Sequence, residues 1–365
     1  MVDRKEPKLL IPGPVSLDPR VSEAMTKPLV NHRSENFREL FRNIAEKMKV
    51  VYRADEGMVL TLTGSGTLAV EAMVYSMVKP GENVLLLNHG EFGERLKKSL
   101  LLRGASVDEL KEDYGKAAEK EVVIRALNSG KYSVLAFVYT ESTTGLSYRD
   151  ADAISEVAKE KGMRVIVDAT SALVAEHLNM GSGHFDAVSS ASQKCIAAPP
   201  GISFVGLSKE ASKFIYQVDG QPRYLDLRLY KESLDKNGDS PTTPAVNLLY
   251  GLDVALDILL RQGLEARMKV HGDLARLLYG ELPRQGYLPL VQEGKNRATS
   301  VTAFWLPEHL NSRQVQVEVN KAGYEIAAGQ GAIKDQIIRV GTMGNIEKND
   351  IEKVISILSS LKRRK

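Results

Sequence analysis

One lysine has a sequence context that is unusual for a solvated side chain. Lys194 follows the short apolar run Ala187–Ser190 and the small residues after it, and a Pro199-Pro200-Gly201 turn comes soon afterwards. Lysines are mostly surface residues, so a solvated side chain is one interpretation. Burial would instead lower the lysine pKa, and a neutral amine can condense with a carbonyl carbon. Lys194 is therefore a candidate for Schiff-base chemistry.

The second candidate is a carboxylate at the end of an apolar run. Asp168 directly follows Arg164–Val167, a predicted strand. Open α/β folds bind their ligands at the carboxyl ends of such strands. Asp168 could simply cap the following segment, or it could hold a protonated heterocyclic nitrogen.

A glycine-containing turn leads into an apolar helix and could bind an anion. Thr63-Gly64-Ser65-Gly66-Thr67 joins the predicted strand Met58–Leu62 to the predicted helix Thr67–Val78. Glycines let backbone amides approach an anion, and the helix N-terminus adds free N–H groups. An ordinary strand-to-helix turn with Thr67 as its N-cap is the alternative. The turn is not a Walker A loop, because no Lys-Ser/Thr pair follows it.

An arginine interrupts a late apolar strand. Arg339 lies within Gln336-Ile337-Ile338-Arg339-Val340-Gly341. A guanidinium buried there requires an anionic partner, and the carboxylate of a ligand matches its geometry. An internal salt bridge to an Asp or Glu is the alternative.

Short apolar runs alternate with segments of helical periodicity between Met58 and Gly206, which is typical of a sheet covered by helices on both faces. The predicted strands are Met58–Leu62, Asn83–Leu87, Ser133–Tyr139, Arg164–Val167, Ala187–Ser190 and Ser203–Leu207. The predicted helices are Thr67–Val78, Gly93–Leu102, Lys116–Asn128, Asp150–Lys161 and Lys209–Tyr216. The alternation predicts an α/β fold with a mostly parallel central sheet.

The pattern changes after a long predicted helix, Pro244–Gln262, which is the expected hinge between two domains. A polar amphipathic helix, Leu264–Leu282, comes next. The later predicted elements are strands Ser300–Trp305 and Ile337–Val340 and helices Ser312–Ala322 and Lys348–Lys362. They predict a smaller C-terminal α/β domain.

Composition excludes several classes of function. The 365 residues are 43% hydrophobic and 26% charged, which suffices for two domains without disulfides. The formal charge is +3 and the only basic run is Lys362-Arg363-Arg364-Lys365, so we expect no nucleic-acid partner. The single cysteine, Cys195, excludes an intramolecular disulfide and a cysteine cluster, and we expect no metal. The first residues lack a signal-peptide core and no run approaches ~18 apolar residues, so we expect a cytoplasmic protein without membrane contact.

Together these motifs resemble the class V aminotransferases, which are pyridoxal-phosphate (PLP) enzymes of fold type I, and within them the alanine–glyoxylate and serine–pyruvate aminotransferase group. The matching stretches follow the family's order over nearly the whole chain. They are Ile11-Pro12-Gly13-Pro14, Ser65-Gly66-Thr67, Asn88-His89-Gly90-Glu91-Phe92-Gly93, Glu141-Ser142-Thr143-Thr144-Gly145, Val167-Asp168-Ala169, Ser192-Gln193-Lys194, Ala198-Pro199-Pro200-Gly201, Thr242-Thr243-Pro244 and Arg339-Val340-Gly341.

The resemblance assigns a role to each candidate. Lys194 would form the Schiff base with PLP and then act as acid and base, while Asp168 would keep the pyridine nitrogen protonated. Arg339 would bind the substrate α-carboxylate. The other cofactor contacts would be Ser65, Gly66, Thr67 and Gln193 to the phosphate, Thr242 to the phosphate of the neighbouring subunit, Ser142 or Thr143 to the ring hydroxyl, and Phe92 stacked on the ring.

The resemblance also implies an organisation. Residues 21–250 would form the large cofactor domain and 251–365 the small domain, with 1–20 packed on the small domain or on the partner of a homodimer with shared sites. Asp239 stands where some relatives have a tyrosine that contacts the partner's phosphate, so we expect its carboxylate to point away. His32 and Arg33 match a stretch near the site entrance, where a structural role is favoured. Phe92 could also be an ordinary core residue.

The implied reaction is ping-pong transfer of the amino group of alanine or serine to glyoxylate or pyruvate. A broad aspartate or phosphoserine aminotransferase is the alternative, and it would need a second cation such as Arg33 or His32. A cysteine desulfurase is excluded, because Cys195 adjoins the lysine instead of lying on a remote loop. A non-enzyme α/β protein that binds a small ligand would be colourless, whereas a Schiff-base enzyme would be yellow.

Overall fold

The computed structural model describes residues 6–362; residues 1–5 and 363–365, which include most of the predicted basic tail, lie outside the described residues. The strands are β1 (Lys8–Leu9), β2 (Met58–Thr63), β3 (Asn83–Asn88), β4 (Ser106–Lys111), β5 (Val134–Val138), β6 (Thr140–Glu141), β7 (Leu146–Ser147), β8 (Arg164–Asp168), β9 (Ala187–Ala191), β10 (Ile202–Leu207), β11 (Leu288–Pro289), β12 (Val301–Trp305), β13 (Tyr324–Glu325), β14 (Ala327–Ala328) and β15 (Ile337–Gly341). The helices are α1 (Pro19–Ala24), α2 (Glu35–Tyr52), α3 (Gly66–Met77), α4 (Glu91–Leu102), α5 (Lys120–Leu127), α6 (Ala151–Glu160), α7 (Ala211–Phe214), α8 (Leu227–Asn237), α9 (Val246–Gln262), α10 (Leu264–Glu281), α11 (Ser312–Lys321) and α12 (Lys348–Lys362). None of the helices in the described chain combines the length and apolarity that a membrane span needs.

The larger sheet has seven strands in the order β2-β10-β9-β8-β5-β3-β4. Six of them run in one direction, and β10 is antiparallel to both of its neighbours, β2 and β9. The α/β class and the mostly parallel sheet are therefore confirmed. The carboxyl ends of the six parallel strands meet at one edge, where the register sets Asp168 between Val138 and Ser189.

Both faces of this sheet are buried, which explains why its strands are continuous apolar runs. On β5, Leu135 and Phe137 point into one hydrophobic cluster, while Val134, Ala136 and Val138 point into another. The first cluster contains residues of α2, α6 and α9, and the second contains residues of α3 and α4. A strand with one solvated face would alternate apolar and polar residues instead.

The C-terminal part is built on a smaller antiparallel sheet with the order β11-β12-β15-β14. Its hydrophobic cluster includes side chains of α10, α11 and α12. Arg339 of β15 lies between Ala303 of β12 and Ala327 of β14. Near the start of the described chain, β1 and β13 form a separate parallel pair, and the amide of Gly341 in β15 donates to the Leu10 carbonyl just after β1. The domain limits at residues 20 and 250 stay predictions.

Several elements differ from the sequence-based expectation, including helices α1 and α8 and the two-residue strands, none of which was predicted. Strand β4 was not expected, since it lies at the sheet edge and its Ser106-Val107-Asp108-Glu109-Leu110-Lys111 sequence is mostly polar. Helix α2 was not expected either, although Ser34 caps its N-terminus by accepting a hydrogen bond from the Phe37 amide. Helix α5 begins at Lys120 rather than at Lys116. Edge strands and helix ends are where solvent contact weakens the apolar signal.

The buried central strand provides a test of the fold. We expect Leu135→Ala, at a site with 0% exposure, to lower the free energy of unfolding by about 2–5 kcal/mol through lost burial and a residual cavity. Leu102→Ala is the matched control, because the Leu102 side chain is 76% exposed and its truncation should change stability by about 0.5 kcal/mol or less. Urea unfolding of the two variants measures both values, and equal losses would contradict the described packing.

Candidate active site

Two adjoining cavities open beside the carboxyl edge of the large sheet, and Phe92 and Lys194 line both of them. The first cavity, of about 200 Å³, brings together seven residues that the sequence singled out: Ser65, Gly66, Thr67, Phe92, Asp168, Gln193 and Lys194. The second cavity, of about 360 Å³, contains Ser142 and Arg339. Thr143 and Thr242 line neither cavity.

Lys194 is held in a largely desolvated position where the two cavities meet. Its ammonium donates a hydrogen bond to the carbonyl oxygen of Pro12. Burial lowers the pKa of Lys194 to about 8, and the positive charge of Arg339 acts in the same direction while Asp168 opposes it. A substantial fraction of this amine is therefore neutral near physiological pH, which makes it a competent nucleophile toward a carbonyl carbon.

Asp168 is the buried carboxylate of the first cavity, with 6% exposure. Burial raises its pKa, whereas the Thr170 hydrogen bonds and the positive charge of Lys194 lower it. One carboxylate oxygen accepts the Thr170 amide at 2.9 Å, so Asp168 does form the local turn contact that the sequence left open. The carboxyl group also faces the cavity, where a cationic N–H group would complete its coordination.

The N-terminus of α3 forms the anion-binding end of the first cavity. Ser65 is the N-cap residue of α3 and its hydroxyl makes no capping hydrogen bond, which corrects the alternative of Thr67 as the cap. A Cβ on Gly66 would lie 3.1 Å from the Ala191 methyl, so glycine allows this close approach. Across the cavity, the buried side-chain oxygen of Gln193 has no hydrogen-bond partner. Free backbone amides and hydroxyls are suited to a phosphate, and Gln193 would contribute through its side-chain N–H groups, since its oxygen is an acceptor.

The position of Phe92 depends on a buried glutamate that sequence reasoning gave no role. Glu141, with 0% exposure, accepts hydrogen bonds from the amides of Phe92 at 3.0 Å and Gly93 at 3.2 Å. The carboxylate thus lies at the positive N-terminal end of α4 and orients the Phe92 ring at the cavity wall. The Arg95 guanidinium carbon lies 4.6 Å from the centroid of that ring, a contact that no sequence motif indicated.

Arg339 is a buried cation without a carboxylate partner in the described chain. Its side chain is bonded only to carbonyl oxygens, with Nε donating to Ala328 at 2.8 Å and Nη1 to Ser142 at 3.0 Å. Burial lowers the Arg339 pKa to about 10, although the charge of Glu141 raises it. The internal salt bridge considered from the sequence is therefore not formed, and the remaining N–H groups face the second cavity.

Ser142 and Thr143 follow β6 but face different surroundings. The Ser142 hydroxyl donates to the Ser171 hydroxyl at 2.6 Å, and Ser142 lines the second cavity. The Thr143 hydroxyl donates at 3.2 Å to the side-chain oxygen of Gln330. That bond leaves the Gln330 amide N–H groups available to the second cavity, which Gln330 also lines. No pattern in the sequence indicated Gln330.

The loop before α9 holds Asp239 in an internal ion pair. The buried Asp239 carboxylate lies 2.9 Å from Arg33 and 3.5 Å from Arg38, and it accepts a 2.6 Å hydrogen bond from Ser233. Burial opposes ionisation of Asp239, but these partners lower its pKa overall. Arg33 also donates to the Ser240 carbonyl at 2.7 Å, whereas His32 lies 3.5 Å from the Thr243 hydroxyl. Through these contacts with Asp239 and Ser240, the Arg33 side chain holds this loop in place.

Comparison with known proteins agrees with this arrangement. Residues 21–354 match the model of the family described as aminotransferase class-V. The chain belongs to the class V aminotransferase family. It is 33% identical to an uncharacterized aminotransferase of Methanocaldococcus jannaschii, over 94% of this chain and 89% of that protein.

Two solved structures are similar to this aminotransferase throughout. An aspartate aminotransferase of subgroup IV from Thermus thermophilus is 33% identical with a TM-score of 0.89, covering 97% of this chain and 99% of that one. An alanine–glyoxylate aminotransferase from Nostoc sp. is 26% identical with a TM-score of 0.93, covering 99% and 97%. The fold is that of the PLP-dependent aminotransferases of fold type I, and class V aminotransferases use PLP.

The residues of the first cavity fit this cofactor. A phosphate matches the N-terminus of α3, and the side chain of Gln193 lines the same cavity. The buried Asp168 carboxylate suits a protonated ring nitrogen, and the flat ring of Phe92 suits an aromatic cofactor face. Lys194 lines the same cavity, where its amine can react with the carbonyl carbon of PLP. The phosphate, the ring nitrogen, the ring face and the carbonyl carbon of PLP therefore each have a chemically matched residue in this cavity.

Gly13 provides a test of how Lys194 is placed. A Cβ at Gly13 would lie 2.7 Å from Cδ of Lys194, so Gly13→Ala should displace the amine and slow its covalent capture of PLP by about 10–100-fold. Mixing cofactor-free protein with PLP and following the absorbance of the bound form measures the rate.

Gly81→Ala is the matched control for the Gly13 variant. Gly81 has φ +81° against +90° for Gly13, but an added Cβ there would meet nothing within 4 Å. Both alanines should lose about 1–2 kcal/mol of stability through backbone strain, and only the Gly13 variant should capture PLP slowly. Equal capture rates would show that Gly13 does not position Lys194.

Proposed function

We propose that this class V aminotransferase moves the amino group of alanine or serine to glyoxylate or pyruvate in a ping-pong reaction. The observation that carries the proposal is the pair of adjoining cavities, with Lys194 between the PLP-matched residues and the unpaired cation Arg339. When bound, PLP supplies an electrophilic carbonyl carbon and an electron-withdrawing ring. The protein residues then determine which amino acid reaches that carbon and how its proton moves.

Lys194 is the proposed catalytic acid and base. Its pKa of about 8 lets the Nζ atom both hold and release a proton near neutral pH, as efficient proton transfer requires. With PLP bound, this amine would take the proton from the substrate Cα and would deliver it to the former carbonyl carbon of PLP, as net transfer of the amino group requires. Asp168 keeps a proton on the ring nitrogen, because a buried carboxylate is stabilised by an opposite charge. Ser65, Gly66, Thr67 and Gln193 hold the phosphate, and Phe92 packs against the ring.

The substrate enters with its α-carboxylate on Arg339. The carbonyls of Ala328 and Ser142 fix the plane of this guanidinium, so its free N–H groups are oriented before substrate binds. Ser142 lines this cavity whereas Thr143 lines neither cavity, so Ser142 is our choice for the ring hydroxyl. Preorganised contacts of this kind favour one orientation of the substrate Cα toward Lys194.

The charges of the second cavity favour a small neutral substrate side chain. Within the described lining of that cavity, the cationic side chains are Lys194 and Arg339, and Glu325 adds a carboxylate. Since Arg339 holds the α-carboxylate and Lys194 takes part in the proton transfer, this lining offers no further cation to a second substrate carboxylate, and Glu325 would repel it. The side chains of alanine and serine are neutral, so they need no further cation and are not repelled by Glu325. The Nostoc relative, described as an alanine–glyoxylate aminotransferase, supports the same choice.

An aspartate aminotransferase is the second candidate, supported by the description of the Thermus thermophilus relative at 33% identity. It would require a further cation, and Arg33 is held by Asp239 and the Ser240 carbonyl.

The proposal includes a cytoplasmic homodimer in which Thr242 reaches the phosphate of the neighbouring subunit. Thr242 lines neither described cavity, in keeping with a role outside its own site.

A half-reaction separates the candidates. We expect alanine and serine, mixed with the yellow holoenzyme without any oxo acid, to convert the cofactor from its aldehyde to its amine absorbance. Aspartate and phosphoserine should react about 100-fold more slowly, because the cavity repels a second anion. Stopped-flow absorbance measures all four rates.

The control for the half-reaction is Lys194→Ala, which should lose the conversion while the fold remains. Aspartate that reacts as fast as alanine would support the second candidate instead. A colourless wild-type protein that binds no PLP would contradict the enzyme proposal altogether.

Arg339 makes a separate prediction about substrate affinity. Arg339→Met should raise the KM for alanine about 10–100-fold, because a charge-assisted pair of hydrogen bonds to the α-carboxylate is lost. Arg103→Met is the matched control: Arg103 has the same 6% exposure and also donates to two backbone carbonyls, but it lies outside both cavities. Steady-state kinetics should show an unchanged KM for that control, and a similar rise in both variants would argue against the carboxylate role.

A further inference from the structure

A second buried arginine lies outside the active site, at a small cavity on the other side of the Lys194 turn. Arg267 lies in the first turn of α10 and is 9% exposed. It lines a cavity of about 30 Å³ together with Ile196, Ala197 and Asn345. The proposed reaction makes no use of this residue.

The hydrogen-bonding capacity of Arg267 is mostly unused. Its Nη1 atom donates to the Gly344 carbonyl at 3.1 Å, and Nε is buried without a partner. Nη2 makes no hydrogen bond in the described chain. Native proteins rarely leave buried donors of a charged group unpaired, since the desolvation penalty is large.

No carboxylate in the described chain pairs with Arg267. Asp18 lines the same cavity, but it is engaged by Arg20, which donates to its two oxygens at 2.9 and 2.8 Å. The buried Glu176 carboxylate is paired with Arg149. His271, one turn further along α10, has neither ring nitrogen hydrogen-bonded, and burial lowers its pKa to about 3, so it is neutral.

The cavity joins parts of the chain that meet beside the catalytic lysine. Ile196 and Ala197 follow Lys194 in the same turn, which is closed by a 2.9 Å hydrogen bond from the Ala197 amide to the Lys194 carbonyl. Ala197 has φ +60°, a conformation that residues with side chains rarely adopt. Arg267 belongs to the helix after the long α9, and Asn345 follows β15 of the smaller sheet.

We propose that this cavity is a binding site for a small monovalent anion, of the size of chloride, held by Nη2 and Nε of Arg267. The anion neutralises the unpaired guanidinium and links α10 and the Gly344–Asn345 turn to the turn that carries Lys194. The site is separate from the two active-site cavities and does not depend on the proposed reaction. A small cavity with one buried cation favours anions that are small and carry a single charge.

The test compares anions on the PLP-bound enzyme. We expect the thermal midpoint of the wild type to rise by about 2 °C when chloride replaces gluconate at equal ionic strength, because gluconate is too large to enter. Arg267→Met should not respond. Arg276→Met is the matched control on the same helix, since Arg276 is exposed and paired with Asp273, and it should respond like the wild type.

Crystals of the wild type grown with bromide provide a second measurement that needs no variant. We expect an anomalous peak within hydrogen-bonding distance of the Arg267 nitrogens. The absence of such a peak would overturn the proposal. So would a response to chloride that persists in Arg267→Met.

Discussion

The burial of an amine beside a carboxylate at the carboxyl edge of a parallel sheet is the constraint on which this site depends. Lys194 and Asp168 follow strands β9 and β8, which are neighbours in the sheet, so the topology alone brings the two groups into one cavity. Desolvation lowers the pKa of the lysine and raises that of the aspartate, which moves both toward neutral pH. The helices on both faces of the sheet create this desolvated environment.

Around this pair, buried charges are handled in two ways. Asp239 and Glu176 are paired with arginines inside the chain and hold loops in place. Within residues 6–362, Arg339 and Arg267 donate only to carbonyl oxygens, and no carboxylate there pairs with either of them. Burying a charge without a partner costs desolvation free energy, so such a charge indicates a ligand-binding site and does not stabilise the fold. The same physical argument that places a substrate carboxylate on Arg339 places a small anion on Arg267.

Much of the fold followed from the periodicity of the sequence. The strands from Met58 to Leu207 are continuous apolar runs because both faces of their sheet are buried, and the order of strands and helices predicted a parallel sheet. Strand β4 was not predicted because it lies at the edge of the sheet, where a strand can be mostly polar and so lacks an apolar run. Helix α2 had a recognisable cap at Ser34 and could have been found. The interpretation of Thr67 as a helix cap failed because the helix begins one residue earlier, at Gly66, with Ser65 as its N-cap.

The sequence by itself determined the types of residues at the site and their places at strand ends, since strand and helix periods and close approach by glycine are local properties. It thereby singled out Lys194, Asp168, the Ser65–Thr67 turn and Arg339. Only the tertiary structure decided which buried charges are paired. Arg33 meets Asp239 across about two hundred residues of chain, Glu141 reaches the amides of α4, and Arg339 and Arg267 meet no carboxylate. Pairing depends on distances between segments remote in sequence, and those distances are set by how the two sheets and their helices pack.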